Sequence, residues 1–586
     1  MRIISLTERP HLAAPAIAQV VPGRGGIGDE APGVGDLKVR AEKRARSVLL
    51  VVLPYRLGDA TTDTSKKAVR SFLAFPYGVL TLASYVRRFS DNLDEVAVLD
   101  LNLPSDEAPD VILKRKLSSQ KPDVVGFSMS YDVSYTWLKS LVSAVKAHDK
   151  AICTVAGGPA ITTAYAEILT ECAELDAACY SEGEVGLKSL IDSDDMQAAL
   201  SQDPWVTKGK VQQQTNPSPV YDDLDKIIDV DYSLVDINAY SMKEAFSPFT
   251  KFTESSKQFF IVTSRGCPFK CVFCAEPSFH GANMRYASVD RIIEHVTRLK
   301  EQYGLSVLTI YDDQLLMNRD RAKELFARLA GMDVRVEMPN GVTLSYIDQE
   351  LTGLMKSAGV DTIFLAIEHG SKRVLRDIIR KPIAFDRIKP TIQMLQNAGI
   401  FTCAFFVIGL PGETRAERQE TREAIFDWGL DWSFFNYATP LRGSELFRMC
   451  KENKWIAEKY LPIGAVDMTD YVITAPGMDR DEIKQTVFEM NLDLNFVHNS
   501  NLRKGNLKTA YQTFKEVVER HPTQPFAQYF LGKCLERMGA GETEVDRYYR
   551  NYQNIILESK TWLDAALEFG LELEPRYRSQ DAGLCA

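Results

Sequence analysis

The stretch Ser264–Gly281, SRGCPFKCVFCAEPSFHG, places Cys267, Cys271 and Cys274 in a C-x3-C-x2-C pattern, three of ten cysteines within eight residues of a 586-residue chain. The run QFFIVTSRG leads straight into it and reads as a strand, so the thiols fall on a short loop at a strand end. Thiolates are the protein ligands of iron–sulfur clusters, and three of them can bind three irons of a 4Fe–4S cube. The fourth iron then has no protein ligand and is open to a substrate or cofactor. A structural zinc site usually needs four ligands, commonly two paired C-x2-C units. Cys403, Cys450, Cys534 and Cys585 are scattered, although His280 could complete a Cys3His set.

Working outward, residues 256–478 alternate strand-like and helix-like segments. Strands are expected at QFFIVTSRG, VLTIYDD, VRVEMPNGV, DTIFLAIEHGS, FTCAFFVIGLPGE and WSFFNYATP, with amphipathic helices between them. Six such units predict a (β/α)6 partial barrel or a full one, with functional residues where strands end. Upstream, residues 47–200 carry a second α/β series: SVLLVVLP, EVAVLDL, PDVVGFSMS, AICTVAGG and LDAACYSEG as strands, with helices between. Continuously apolar strands alternating with helices predict a doubly wound parallel sheet, whose ligands sit beyond the carboxyl ends of its strands. Residues 201–255 read as a polar connector. Residues 479–586 predict a small all-helical tail; Ala510, Phe514, Pro522, Leu531 and Gly532 lie near tetratricopeptide spacing, and Gly505 and Gly539 stand one 34-residue period apart. Residues 1–46 read as a disordered leader. Their GRGGIG lacks the preceding strand and following helix of a dinucleotide site.

The composition, 45% apolar and 25% charged with a net charge of −10, is that of a globular protein and gives no electrostatic reason to expect nucleic-acid binding. No apolar run approaches the ~18 residues of a membrane span. The N-terminal residues show no secretory h-region, and ten cysteines make no disulfide framework, so a reducing cytoplasm is expected.

The segment CPFKCVFC resembles the C-x3-C-x-Φ-C signature of radical S-adenosylmethionine (SAM) enzymes, with Phe273 as the aromatic residue. YDDQLLMNRDRAKEL, AIEHGSKRVL, FFVIGLPGETRAE and TPLRGSEL are similar, in order, to later barrel segments of that family. The resemblance implies that Cys267, Cys271 and Cys274 hold a 4Fe–4S cluster whose open iron binds SAM, yielding methionine and a 5′-deoxyadenosyl radical on one-electron reduction. It implies SAM contacts at Phe273 and at Glu368 (ribose), and at Ile408, Gly409 and the chain to Glu413 (adenine). Asp312 and Asp313 stand where the family has GGE, a loose match. Asn340 faces substrate or sits in a turn. Local alternatives remain open: Glu368, Asp312 and Asp313 as helix caps, and Gly412–Glu413 as a turn and helix start.

FPYGVLTLASYV, PDVVGFSMS, VAGGPAITTAYAEIL and LDAACYSEGE resemble the cobalamin-binding domain that precedes the barrel in one large radical SAM branch. Ser128, Ser130, Gly157, Gly158, Pro159, Glu182 and Gly183 would cradle cobalamin, and the loop LPYRLGDATTD carries no cobalt-ligating histidine. The expectation is a cobalamin-dependent methylase acting on an unactivated carbon, or phosphorus, of a small molecule, fed by flavodoxin or ferredoxin. A radical SAM cyclase, oxidase or rearrangement enzyme is the alternative, and a non-enzymatic iron–sulfur scaffold the third reading. Catalytic residues and substrate are not readable from the sequence.

Overall fold

The computed structural model describes residues 45–55, 73–240, 247, 256–466 and 468–571. The expected leader up to residue 44, and the loop after the first strand from residue 56 on, lie outside these.

The first sheet contains β1 (Arg46–Val52), β2 (Leu93–Asp100), β3 (Val124–Ser128), β4 (Cys153–Gly157), β5 (Ala177–Cys179) and β6 (Trp205–Val206), in the order β2-β1-β3-β4-β5-β6. All neighbours are parallel except the β5–β6 pair. In β1, Val48, Leu50 and Val52 enter one apolar cluster while Leu49 and Val51 enter another, so both faces are buried. That two-sided burial explains why the strand reads as continuously apolar rather than alternating. The helices α1 (Tyr77–Phe89), α2 (Pro109–Gln120), α3 (Tyr135–His148), α4 (Pro159–Glu171) and α5 (Glu184–Asp192) make the crossovers. The order reverses between β1 and β3, and that switch point is where such sheets bind ligands.

The second series gives β7 (Gln258–Ile261), the short pair β8 (Ser264–Arg265) and β9 (Arg285–Tyr286), then β10 (Val307–Ile310), β11 (Arg335–Glu337), β12 (Thr362–Glu368), β13 (Phe401–Ile408) and β14 (Trp432–Tyr437). β7, β10 and β11 pair in parallel, as do β12, β13 and β14. A parallel bridge from Val342 to Leu365 joins the two halves into the open six-stranded barrel expected. Four of the helices between strands start on side-chain caps: Ser288, Asn318 and Asp348 each accept a backbone N–H, and Thr414 forms a capping box with Glu417.

Barrel and front sheet share one core. Phe75, just before α1, stacks on Phe259 of β7 at 5.5 Å, and Tyr232 of the connector meets both rings edge-on. The helical tail shares a further cluster with the barrel: Phe401, Cys403 and Trp432, near the N-terminal ends of β13 and β14, pack with Phe496, Phe514 and Phe526. The start of the tail also reaches the other end of β13, where Ile483 lies beside Gly409. Among the described residues no helix is long and apolar enough to cross a membrane.

Candidate functional site

At the carboxyl ends of β1, β3, β4 and β5 lies a cavity of about 300 Å³. Ser128, Ser130, Gly157, Gly158, Pro159, Glu182 and Gly183, the seven residues expected there, all line it. Gly158 sits at φ 108°, and a Cβ on it would lie 2.8 Å from the Met129 carbonyl oxygen. Gly126, in the middle of β3, also lines the cavity and was not anticipated. A Cβ there would meet Leu50 Cδ2 at 2.9 Å. A lone glycine within an apolar strand was the available signal, since it marks close approach by a ligand or another backbone. With Gly126, Gly157, Gly158 and Gly183 all in its lining, the cavity wall is largely bare backbone, which suits the close approach of a flat ring-bearing ligand. A second compartment of about 510 Å³ shares Tyr77, Ser128, Ser130 and Val262 with the first and continues to Phe260 and Tyr311 at the barrel mouth.

The loop after β5 is joined to the loop of cysteines by buried charge. Glu182 Oε2 lies 2.8 Å from Arg265 Nη1, and its Oε1 lies 2.8 Å from His280 Nδ1. Arg285 donates to both Glu182 oxygens, and Arg265 Nη2 donates to Glu184 at 2.9 Å. Burial pulls the Glu182 carboxyl up, but Arg265, His280 and Arg285 outweigh it and hold it well below the usual carboxylate range.

Gly266 turns the chain into the cysteine loop at φ 96°, where a Cβ would fall 2.3 Å from the Asn283 carbonyl oxygen. Cys267 N–H donates to Gly281 at 3.1 Å, and Cys274 N–H to the Cys271 carbonyl at 3.0 Å. Without metal, burial pushes the Cys271 thiol up to about 11, Cys274 up to about 12 and Cys267 upward. Bound cations reverse that balance and deprotonate coordinating thiols. Two donors already point at sulfur: Glu276 N–H at Cys274 Sγ and Gln314 Nε2 at Cys267 Sγ, each at 3.5 Å. Among the described residues no three His, Cys, Asp or Glu side chains surround one point where a single ion could sit. Thiolates that bind three different irons of a cube need no common point, whereas a Cys3His zinc site does. With His280 turned onto Glu182, the donor set fits a cluster.

The residues expected around SAM divide into two groups. Glu368 ends β12 at φ 76°, where the register with β13 shifts, and accepts from Lys381 Nζ at 2.8 Å. Burial pulls the Lys381 ammonium down, and Glu368 more than restores it, so its pKa is raised. Lys381 was not anticipated, because nothing in IRKP marks a lysine that turns inward. Phe273 is half-buried beside the cysteines, and Asn340 is exposed, donating to the Tyr311 carbonyl at 2.9 Å. Ile408 is buried at the end of β13. The Gly409 carbonyl accepts from Tyr471 Oη at 2.7 Å, and a Cβ on Gly409 would strike that ring at 2.6 Å.

The other residues are occupied within the chain. Glu413 Oε2 accepts from the backbone N–H groups of Gly409 and Leu410 at 2.7 and 2.9 Å, so its carboxylate shapes the turn after β13 from inside. The helix that follows is capped by Thr414. Asp312 is buried and accepts from Thr263 N–H, Thr263 Oγ1 and Ser264 Oγ. It ties the end of β7 to the end of β10. Asp313 instead meets Glu276, whose carboxyl burial and this neighbour push up to about 9.

The family comparisons agree with this geometry. Residues 261–425 match the radical SAM superfamily, and residues 67–191 match the B12-binding domain. The chain belongs to the radical SAM superfamily, in the branch that carries an N-terminal B12-binding domain. Its cofactors are a 4Fe–4S cluster, SAM and cobalamin. An uncharacterized methyltransferase of Pyrococcus horikoshii, PH0819, is 28% identical over 69% of this chain and 83% of its own length. An anaerobic magnesium-protoporphyrin IX monomethyl ester cyclase of Rubrivivax gelatinosus is 26% identical over 70% of this chain and 72% of its own. The solved structure of the radical SAM methyltransferase TsrM from Kitasatospora setae, with cobalamin and a [4Fe–4S] cluster bound, shares the fold. Its TM-score is 0.56 at 15% identity, covering 76% of this chain and 91% of that one.

Proposed function

We propose that this protein is a cobalamin-dependent methyltransferase that places a methyl group on an unactivated carbon of a small molecule. One observation carries the reading: Glu182, which lines the cavity of the front sheet, pairs with Arg265, two residues before Cys267. Two cofactors that act on one substrate atom must sit face to face, and this pair holds their two sites together. Cys267, Cys271 and Cys274 would hold the cluster. Glu368, held by Lys381, would accept from the SAM ribose, with Phe273 and the Ile408–Gly409 backbone beside the adenine. Gly126, Gly157, Gly158 and Gly183 would give the corrinoid its close approach to the sheet. When bound, the cluster and SAM supply hydrogen abstraction and cobalamin supplies the methyl group. The chain's own work is to orient them and to exclude water.

The name carried by the Pyrococcus relative supports methyl transfer, and that of the Rubrivivax relative supports the cyclase alternative. The reading brings with it a small-molecule substrate, a reductant of the flavodoxin or ferredoxin kind and a cytoplasmic setting. The deciding experiment incubates the reduced, cobalamin-loaded protein anaerobically with SAM and a metabolite extract. S-adenosylhomocysteine formed together with 5′-deoxyadenosine, both dependent on the extract, is the expected result. Extract-dependent 5′-deoxyadenosine without S-adenosylhomocysteine would replace methylation by cyclisation or rearrangement.

A further inference from the structure

Gln314 follows Asp313 in the loop after β10, and no ligand role was anticipated for it. Its Nε2 donates to Cys267 Sγ at 3.5 Å, and its Oε1 accepts from Thr343 Oγ1 at 3.0 Å. The two bonds are consistent in sense: a thiolate can only accept, so the amide nitrogen is the end that serves it, and the amide oxygen is left to accept from the Thr343 hydroxyl. Thr343 is itself held in place. It is buried and follows Val342, whose backbone exchanges hydrogen bonds with Phe364 and Ala366 across the seam between the two halves of the barrel. A relay of hydroxyl, amide and sulfur therefore runs from the barrel seam to one of the three cysteines.

We propose that Gln314 is a positioning residue that sets the reduction potential of the cluster by donating a hydrogen bond to the Cys267 thiolate. The inference rests on the reading of Cys267, Cys271 and Cys274 as cluster ligands. Reduction adds one negative charge, part of which resides on the sulfurs. A donor at the sulfur stabilises the reduced form more than the oxidised form and raises the potential. The relay thus brings the cluster within reach of a weaker one-electron reductant. Thr343 acts through Gln314, because without its hydroxyl the amide loses the bond that anchors it beside the sulfur.

The test is a potentiometric titration, followed by electron paramagnetic resonance, of anaerobically reconstituted full-length protein with neither SAM nor substrate present. Wild type is compared with Gln314→Leu, Gln314→Glu and Thr343→Val at matched iron content. Gln314→Leu is expected to cut the reduced-to-oxidised ratio at a fixed potential about tenfold, a downward shift of about 59 mV for one electron. Gln314→Glu, which replaces the donor by a negative charge at equal size, is expected to shift further. Thr343→Val is expected to fall between Gln314→Leu and wild type. Equal potentials in all four proteins would overturn the proposal. Unchanged potentials with weakened SAM binding in the two Gln314 variants would also overturn it, and would make the residue a SAM contact. Wild-type protein that takes up no iron would overturn the reading of the cysteines and this inference with it. Failure of methyl transfer alone leaves the potential measurement intact, so the two claims fail separately.

Discussion

Glu182 and Arg265 pair at 2.8 Å with side chains only 2% and 9% exposed, one from the loop after β5 and the other from β8, which leads into the cysteines. The carboxylate also takes His280 and Arg285, so one buried anion answers three cationic or donor groups of the barrel. Removing one partner of a buried ion pair destabilises by about 3–5 kcal/mol, because the other charge stays buried. Glu182→Gln is expected to lose about 3 kcal/mol of unfolding free energy in denaturant titrations. The pH dependence has a definite sign. A carboxylate held low in the fold contributes stability that is present above the ordinary value of about 4.3 and lost as pH falls below it. The acid limb of the stability curve below about pH 4.3 is therefore expected to be shallower in Glu182→Gln than in wild type. Identical limbs would show that Glu182 is not the group responsible.

Lys381 and Glu368 form the matching buried pair at the end of β12. Lys381→Met keeps the volume and removes the donor that holds the Glu368 carboxylate in place, leaving it free to turn from the ribose position. The expected result is about tenfold weaker SAM binding by anaerobic equilibrium dialysis, near 1.4 kcal/mol. The double variant Lys381→Met/Glu368→Gln is expected to regain stability but not SAM affinity. Recovery of both would reduce the pair to a purely structural role.

Iron content tests the cysteines one at a time. Alanine at Cys267, Cys271 or Cys274 is expected to lower iron from about four per chain to below one. Alanine at Cys534, buried in the helical tail, is expected to leave iron unchanged. A Cys271→Ala protein that kept its full iron would refute the three-cysteine assignment.

Cobalt and iron are expected to dissociate at Gly157. A Cβ there meets nothing nearer than Cys179 Cβ at 3.5 Å, so the backbone accepts a side chain and the remaining atoms enter the cavity. Gly157→Leu is expected to weaken cobalamin binding at least about tenfold, read as cobalt retained after gel filtration, while iron stays at the wild-type level. Unchanged cobalt would move the corrinoid out of this cavity.

Local chemistry made the strand order of types, the caps and the cysteine loop legible in the sequence. Apolar runs such as Ser47–Leu53 announce strands buried on both faces, Ser288 and Thr414 announce helix starts, and the spacing of Cys267, Cys271 and Cys274 is itself a ligand set. That the strand-end segments of the front sheet border a cavity was legible from topology, since ligands of a doubly wound sheet sit beyond the carboxyl ends of its strands. Which side chains face one another across the chain was not legible. Glu182 and Arg265 are separated by 83 positions, and Glu368 meets a lysine that sequence pattern does not distinguish from a surface one. Asp312 and Asp313 are neighbours in sequence, yet one knots two strands and the other meets Glu276, because adjacent residues at a strand end point to opposite sides. Partner choice in a buried site depends on burial and on distances set by distant elements, and only the tertiary structure supplies those.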